Sequence, residues 1–153
     1  MKQKLFTKNF VFLLLGQICS LTGNYTLKFA LSMYVLERTG SASVFAGVLA
    51  LSMVPLILCA PFGGVLADRA DRRRIMVSLD AVSGAAVLAA GLFLSLGREI
   101  LVISVLQMVL SVLAAFESPT VQACIPQMLS GDNLIKGNAA VSQVSSLVSL
   151  AAP

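Results

Sequence analysis

Histidine is absent from the 153 residues, and only 12% of positions carry a charged side chain. Without imidazole, histidine-based acid–base and metal chemistry is excluded. A soluble domain carries about 25% charged residues. With half of that, and with 58% hydrophobic residues, the chain could not cover its own surface in water. A soluble enzyme, a disordered chain and a nucleic-acid binder are excluded on the same ground. Cysteine is scarce as well. Cys19, Cys59 and Cys124 lie far apart, in or beside apolar stretches; they form no CxxC pair and no even-numbered disulfide framework, so they read as packing residues. Nothing here calls for a cofactor or a metal. What remains is a chain suited to a lipid bilayer.

A membrane helix needs ~20 mostly apolar residues to cross a ~30 Å hydrocarbon core. That rule places helices at about 9–36, 42–66, 75–96 and 100–117, with a fifth apolar segment at 134–153. The breaks are short and polar: Glu37 to Ser41, Asp68 to Arg74, and Gly97-Arg98-Glu99. Pro55 and Pro61 predict a bend in the second helix, because each removes a backbone donor. Ser118-Pro119, Pro126, Gly131 and Asp132 predict a connecting loop over 118–133, with room for a short interfacial helix. The fifth segment stops at Pro153 with no polar flank, which reads as a truncation. The first apolar run is far longer than the ~7–15 residues of a signal-peptide core, so it reads as a retained helix.

The net charge of +4 is spread unevenly. With a cytoplasmic N-terminus, the inside segments hold eight basic residues: Lys2, Lys4, Lys8, Arg69, Arg72, Arg73, Arg74 and Lys136. The outside loops hold only Arg38 and Arg98. This bias places the N-terminus, 68–74 and 118–133 in the cytoplasm. Small residues repeat every four at Ala81, Ala85 and Ala89, and again at Ala60 and Gly64. Such spacing either lets helix backbones approach closely or reflects only how common alanine and glycine are in membrane helices.

The most specific stretch is Gly64-Val65-Leu66-Ala67-Asp68-Arg69-Ala70-Asp71-Arg72-Arg73-Arg74. It resembles the signature loop between helices 2 and 3 of the major facilitator superfamily, roughly G-x-L-a-D-r-x-G-r-[rk]. Gly64, Leu66, Asp68, Arg69, Arg72 and Arg73 fit, while Asp71 stands where the general pattern has glycine. The resulting D-R-x-D-R-R form is similar to that of an exporter branch including macrolide efflux proteins and the enterobactin exporter. The runs Leu14-Leu15-Gly16-Gln17 through Phe29-Ala30-Leu31, and Phe116-Glu117-Ser118-Pro119 through Asn138-Ala139, resemble the first helix and the helix 4–5 connection of that branch.

The resemblance implies an all-α polytopic membrane bundle like the N-terminal half of such a transporter. It implies a small-molecule substrate near the midplane, between two halves that rock against each other. It further implies that the loop acts as a conformational latch. Gly64 would let the end of helix 2 lie against another helix, and Asp68 would face a helix N-terminus. Arg72, four residues on, would pair with Asp68 in a helical segment. Arg73 and Arg74 read as topology determinants. Polar residues at membrane depth are costly and mark pathways. Gln17, Asn24, Lys28 and Asp80 are the candidates. Lys28 either lines the cavity or snorkels outward. Asn24 carries no proton, and Asp80 is the carboxylate suited to a buried proton or ion-pair role. Protons are the candidate coupling ion; the bilayer and the second half of the same transporter are the other partners. The competing reading is a self-contained small membrane protein, either an assembly subunit or a dimeric small multidrug transporter.

Overall fold

A computed structural model describes residues 7–69, 71–94 and 97–151. Lys2, Lys4 and Ala152-Pro153 therefore lie outside the described residues. Five helices run in order: α1 (Lys8–Thr39), α2 (Ala42–Arg69), α3 (Arg72–Phe93), α4 (Glu99–Met128) and α5 (Asp132–Ala151). The described residues hold no strand. The fold is an all-α membrane helix bundle. α1 to α4 are long and apolar enough to cross a bilayer, and only 11–28% of their most apolar stretches is buried within the chain. Leu88, Leu92, Ile57 and Phe62 are among the large side chains left exposed, as lipid-facing residues should be. α5 has the length of a span but does not reach the same apolarity. Ser142, Gln143, Ser145, Ser146 and Ser149 dilute it.

The turns follow from local chemistry. Gly40, at φ +60°, ends α1 in the left-handed region that suits glycine, and its N–H donates to the Leu36 carbonyl at 2.8 Å. Ser41 then accepts from the Val44 N–H at the start of α2. Gly131, at φ +59°, plays the corresponding part between α4 and α5.

The chain falls into two compact units, Lys28–Thr120 and the segments up to Leu27 and from Val121. In the larger unit, Val35, Val48 and Ile103 form a buried apolar cluster against Leu31, Tyr34 and Leu94. In the other, Phe10, Ile125 and Leu129 are buried. Gly137 gives them room, because a side chain there would run into Leu129.

The main departure from expectation is α4. A loop was expected over 118–133, yet α4 runs through Pro119 and Pro126 to Met128. A proline in a helix frees the carbonyl four residues earlier, which for Pro119 is that of Ala115. That carbonyl packs against Gly63 of α2, where a side chain would collide with it and would meet Pro119 Cγ at 3.0 Å. Thr120 also donates its hydroxyl to the Phe116 carbonyl at 2.7 Å. Ala115, Thr120, Val121, Cys124 and Ile125 are buried. Burial of this face outweighs the weak helix propensity of proline, as neighbouring helices permit in membranes.

Among the described residues the close approach of α2 is made by Gly63; nothing lies within 4 Å of where a Gly64 side chain would begin. Gly63→Leu should therefore destabilise the bundle by roughly 1–3 kcal/mol through overpacking. Gly64→Ala should stay within about 1 kcal/mol of wild type. Thermal denaturation of both variants in detergent checks this.

Candidate functional site

Most of the charge run between α2 and α3 is taken up by the two helices themselves. α2 ends at Arg69 and α3 begins at Arg72. Asp71, at φ −65° and ψ 106°, is the N-cap of α3, and its carboxylate accepts from the Arg73 N–H at 3.1 Å. An aspartate here satisfies a donor that the first helical turn leaves open. The departure from glycine in the loop pattern is thus a cap. The signal was present in the sequence, as an aspartate just before a helical run. Asp71 also pairs with Arg74 at 3.4 Å, on an exposed surface where such a pair contributes little.

Arg72 takes a different partner from the one expected. Its Nε donates to the Ala67 carbonyl at 3.0 Å, closing an orphan acceptor in the last turn of α2. Among the described residues Arg72 makes no ion pair with Asp68. The expected pairing required one continuous helix from 68 to 72, whereas Asp68 belongs to α2 and Arg72 to α3. Asp68 stays exposed at the end of α2, as do Arg69 and Arg73, while Arg72 and Gly64 are half-buried. Ala67, beside Asp68, is buried.

Of the candidate pathway residues, Gln17 and Asn24 belong to one compact unit and Lys28 and Asp80 to the other. Gln17 is buried on α1, and its Oε1 has no hydrogen-bond partner. Asn24, seven residues on, is half-buried. On another face of α1, Ile18, Thr22 and Thr26 line a groove of about 340 Å³ together with Val144, Leu147 and Val148 of α5. Asp80 lies on an exposed face of α3, so within this chain it is not the buried carboxylate expected. Lys28 is half-buried and forms no ion pair among the described residues.

Two features escaped the sequence reading, and both join α1 to α4. Near the ends of these helices, Arg38 pairs with Glu99 at 3.2 Å. The Tyr34 hydroxyl donates to Glu99 at 2.7 Å and accepts from Arg38 Nε at 3.0 Å. The Arg38 guanidinium also lies 5.3 Å from the Tyr34 ring centroid, within cation–π range. Deeper in the bundle, Gln107 Nε2 donates to Ser32 Oγ at 3.1 Å, and Ser32 donates to the Lys28 carbonyl at 2.7 Å. Ser32 and Gln107 are almost wholly buried, and Gln107 Oε1 has no partner. Single polar residues inside apolar runs give no periodic signal; only the paired helices make them a site.

Comparison with known proteins agrees with this architecture. Residues 13–153 match the family model of the Major Facilitator Superfamily. Macrolide efflux protein A of Streptococcus pyogenes is 30% identical over 124 residues, covering 79% of this chain and 30% of that protein. Uncharacterized MFS-type transporters of Mycobacterium bovis and Mycobacterium tuberculosis are 28% identical over 102 residues, covering 67% of this chain and 23% of theirs. The chain thus spans about a third or less of the length of these relatives. No solved structure matches it. With the match running from the first helix through the α2–α3 loop to the fifth, the chain belongs to the Major Facilitator Superfamily.

Proposed function

We propose that this chain serves a secondary transporter, not an enzyme, that exports a small amphiphilic compound across the inner membrane. The observation that carries this reading is the family match over residues 13–153; the capped, charged α2–α3 loop falls within it. The similarity to a macrolide efflux protein favours export over uptake. An ion gradient drives the step, with protons the candidate ion. The N-terminus and the α2–α3 loop lie in the cytoplasm, and the α1–α2 and α3–α4 turns lie outside, as the basic-residue bias requires.

In this reading the loop is a latch with two divided parts. Arg72 fixes the loop to α2 through the Ala67 carbonyl. Asp68, exposed at the end of α2, presents a carboxylate to the positive end of a helix that closes against it. Closure and release of that contact bias a two-state equilibrium between inward- and outward-open forms.

Two outcomes are expected. In the complete protein, Asp68→Asn and Arg72→Ala should each lower efflux by about 5–150-fold, the range of a 1–3 kcal/mol coupling, with abundance in the membrane unchanged. Wild-type rates in both would leave these charges a topological role only. For orientation, single cysteines at positions 39 and 73, in a background lacking Cys19, Cys59 and Cys124, should differ towards an impermeant thiol reagent. Position 39 should label from outside intact cells, and position 73 only after permeabilisation.

A further inference from the structure

We propose that the face shared by α1 and α5 is a substrate subsite, and that it takes an apolar body carrying hydroxyl groups. This rests on the transporter reading and names the substrate class of the same pathway. Residues up to Leu27 and from Val121 form one compact unit, so most of α1 and all of α5 share it. Between them runs the groove of about 340 Å³ walled by Ile18, Thr22 and Thr26 on one side and by Val144, Leu147 and Val148 on the other. A second, shallow depression of about 380 Å³ lies on α5, lined by Ser142, Gln143, Ser146 and Leu147. Both volumes fall within the ~300–1,000 Å³ of small-ligand pockets. Leu147 borders both depressions. At about 100° per residue, it falls between Gln143 on one side and Val144 on the other. The two depressions therefore adjoin across a single side chain.

Their chemistry differs. The groove is apolar along α5, and only Thr22 and Thr26 bring hydroxyls to it. The depression on α5 is polar: Ser142 and Ser146 stand one turn apart on one face, with Gln143 beside them, and all three are exposed. Asn138 and Ser149, also exposed, extend the same side of the helix. A helix of spanning length does not turn such a side to acyl chains, where each unmet polar group costs free energy. Ser145 and Ser149 donate to carbonyls of α5 itself. Ser142, Gln143 and Ser146 make no hydrogen bond among the described residues, which leaves their groups available. Hydroxyl and amide groups both donate and accept, and a ligand hydroxyl matches them in either sense. α1 carries no charge between Lys8 and Lys28, and α5 none after Lys136. What this unit offers is apolar contact beside neutral hydrogen bonds, and the portion of a ligand that it complements is uncharged.

The test compares two tritiated steroids of one apolar skeleton: cortisol, which bears hydroxyls, and progesterone, which bears none. The complete protein in phosphatidylcholine nanodiscs should bind cortisol saturably and more tightly than progesterone. The combined variant Ser142→Ala, Gln143→Leu, Ser146→Ala should lose about tenfold or more in cortisol affinity, the scale of one or two net hydrogen bonds, and with it the preference. Thr22→Trp, which fills the groove, should abolish binding of both. A measurement independent of these variants uses single cysteines at positions 142 and 146, in the background lacking Cys19, Cys59 and Cys124. A water-soluble maleimide should label both in the complete protein, and cortisol should slow the labelling. No labelling, or labelling by a lipid-soluble maleimide alone, would set this face against another helix or the bilayer and overturn the proposal. Equal affinity for the two steroids, no cortisol binding, or wild-type binding by the combined variant would also overturn it. Gradient-driven flux of rhodamine 123 in inverted vesicles would in those cases leave the transporter reading standing. Cortisol binding that depends on Ser142, Gln143 and Ser146, with no gradient-driven flux of cortisol or rhodamine 123, would keep the subsite and remove the transporter reading.

Discussion

Hydrocarbon offers no hydrogen-bond partner, and the organisation of this chain follows from that constraint. Each backbone polar group inside the bilayer must be satisfied by the chain itself, so the apolar runs become helices that reach past their apolar cores. Where Pro119 breaks the ladder of α4, a neighbouring helix packs closely over the break. Pro119 frees the Ala115 carbonyl, and that carbonyl packs against Gly63, whose lack of a side chain makes the approach possible. Ser32, which contributes a hydroxyl to the interior, donates it to the Lys28 carbonyl and accepts from Gln107. Where water is available, at the helix ends, the charges collect: Arg38 with Glu99, and Asp71 with Arg74.

This constraint also explains what could be read in the sequence. Four spans were legible because length and apolarity alone specify them, and α1 to α4 are the four helices apolar enough to cross, although α4 runs on to Met128. The loop was legible because its charges interrupt apolar sequence in a recognisable order. The interior of α4 was not. Ser118-Pro119 and Pro126 are breakers by local propensity, and only the burial of Val121, Cys124 and Ile125 shows why the helix continues. Gly63 and Gly64 are adjacent and chemically identical, so nothing short of helix rotation distinguishes the one that meets α4. Asp68 and Arg72 have the spacing of a helical pair, yet the N-cap at Asp71 divides the segment and sends Arg72 to a carbonyl instead. Asp80 has the composition of a buried carboxylate and the exposure of a surface one.

Family membership supplies a scaffold and a mode of motion, while selectivity lives in particular side chains. The interior polar contacts of this chain join α1 to α4. Ser32 and Gln107 are tied together, Lys28 lies one turn further along, and the Tyr34–Arg38–Glu99 group closes the end of the same seam. In the proposed function the α2–α3 loop sets which conformation is populated, while the seam registers α1 against α4.

The seam is therefore the claim on which the rest turns, and a double-mutant cycle on Ser32 and Gln107 tests it most directly. Unfolding free energies would be measured in mixed micelles for Ser32→Ala, Gln107→Leu and the pair. Interhelical hydrogen bonds in membrane proteins contribute about 0.6 kcal/mol on average and up to ~1.7 kcal/mol by such cycles. The account predicts a coupling in that range, with Ser32→Ala the costlier single change relative to the pair because it leaves the Gln107 amide unsatisfied. Strict additivity of the two substitutions would contradict it, since α1 and α4 would then not be registered through this bond.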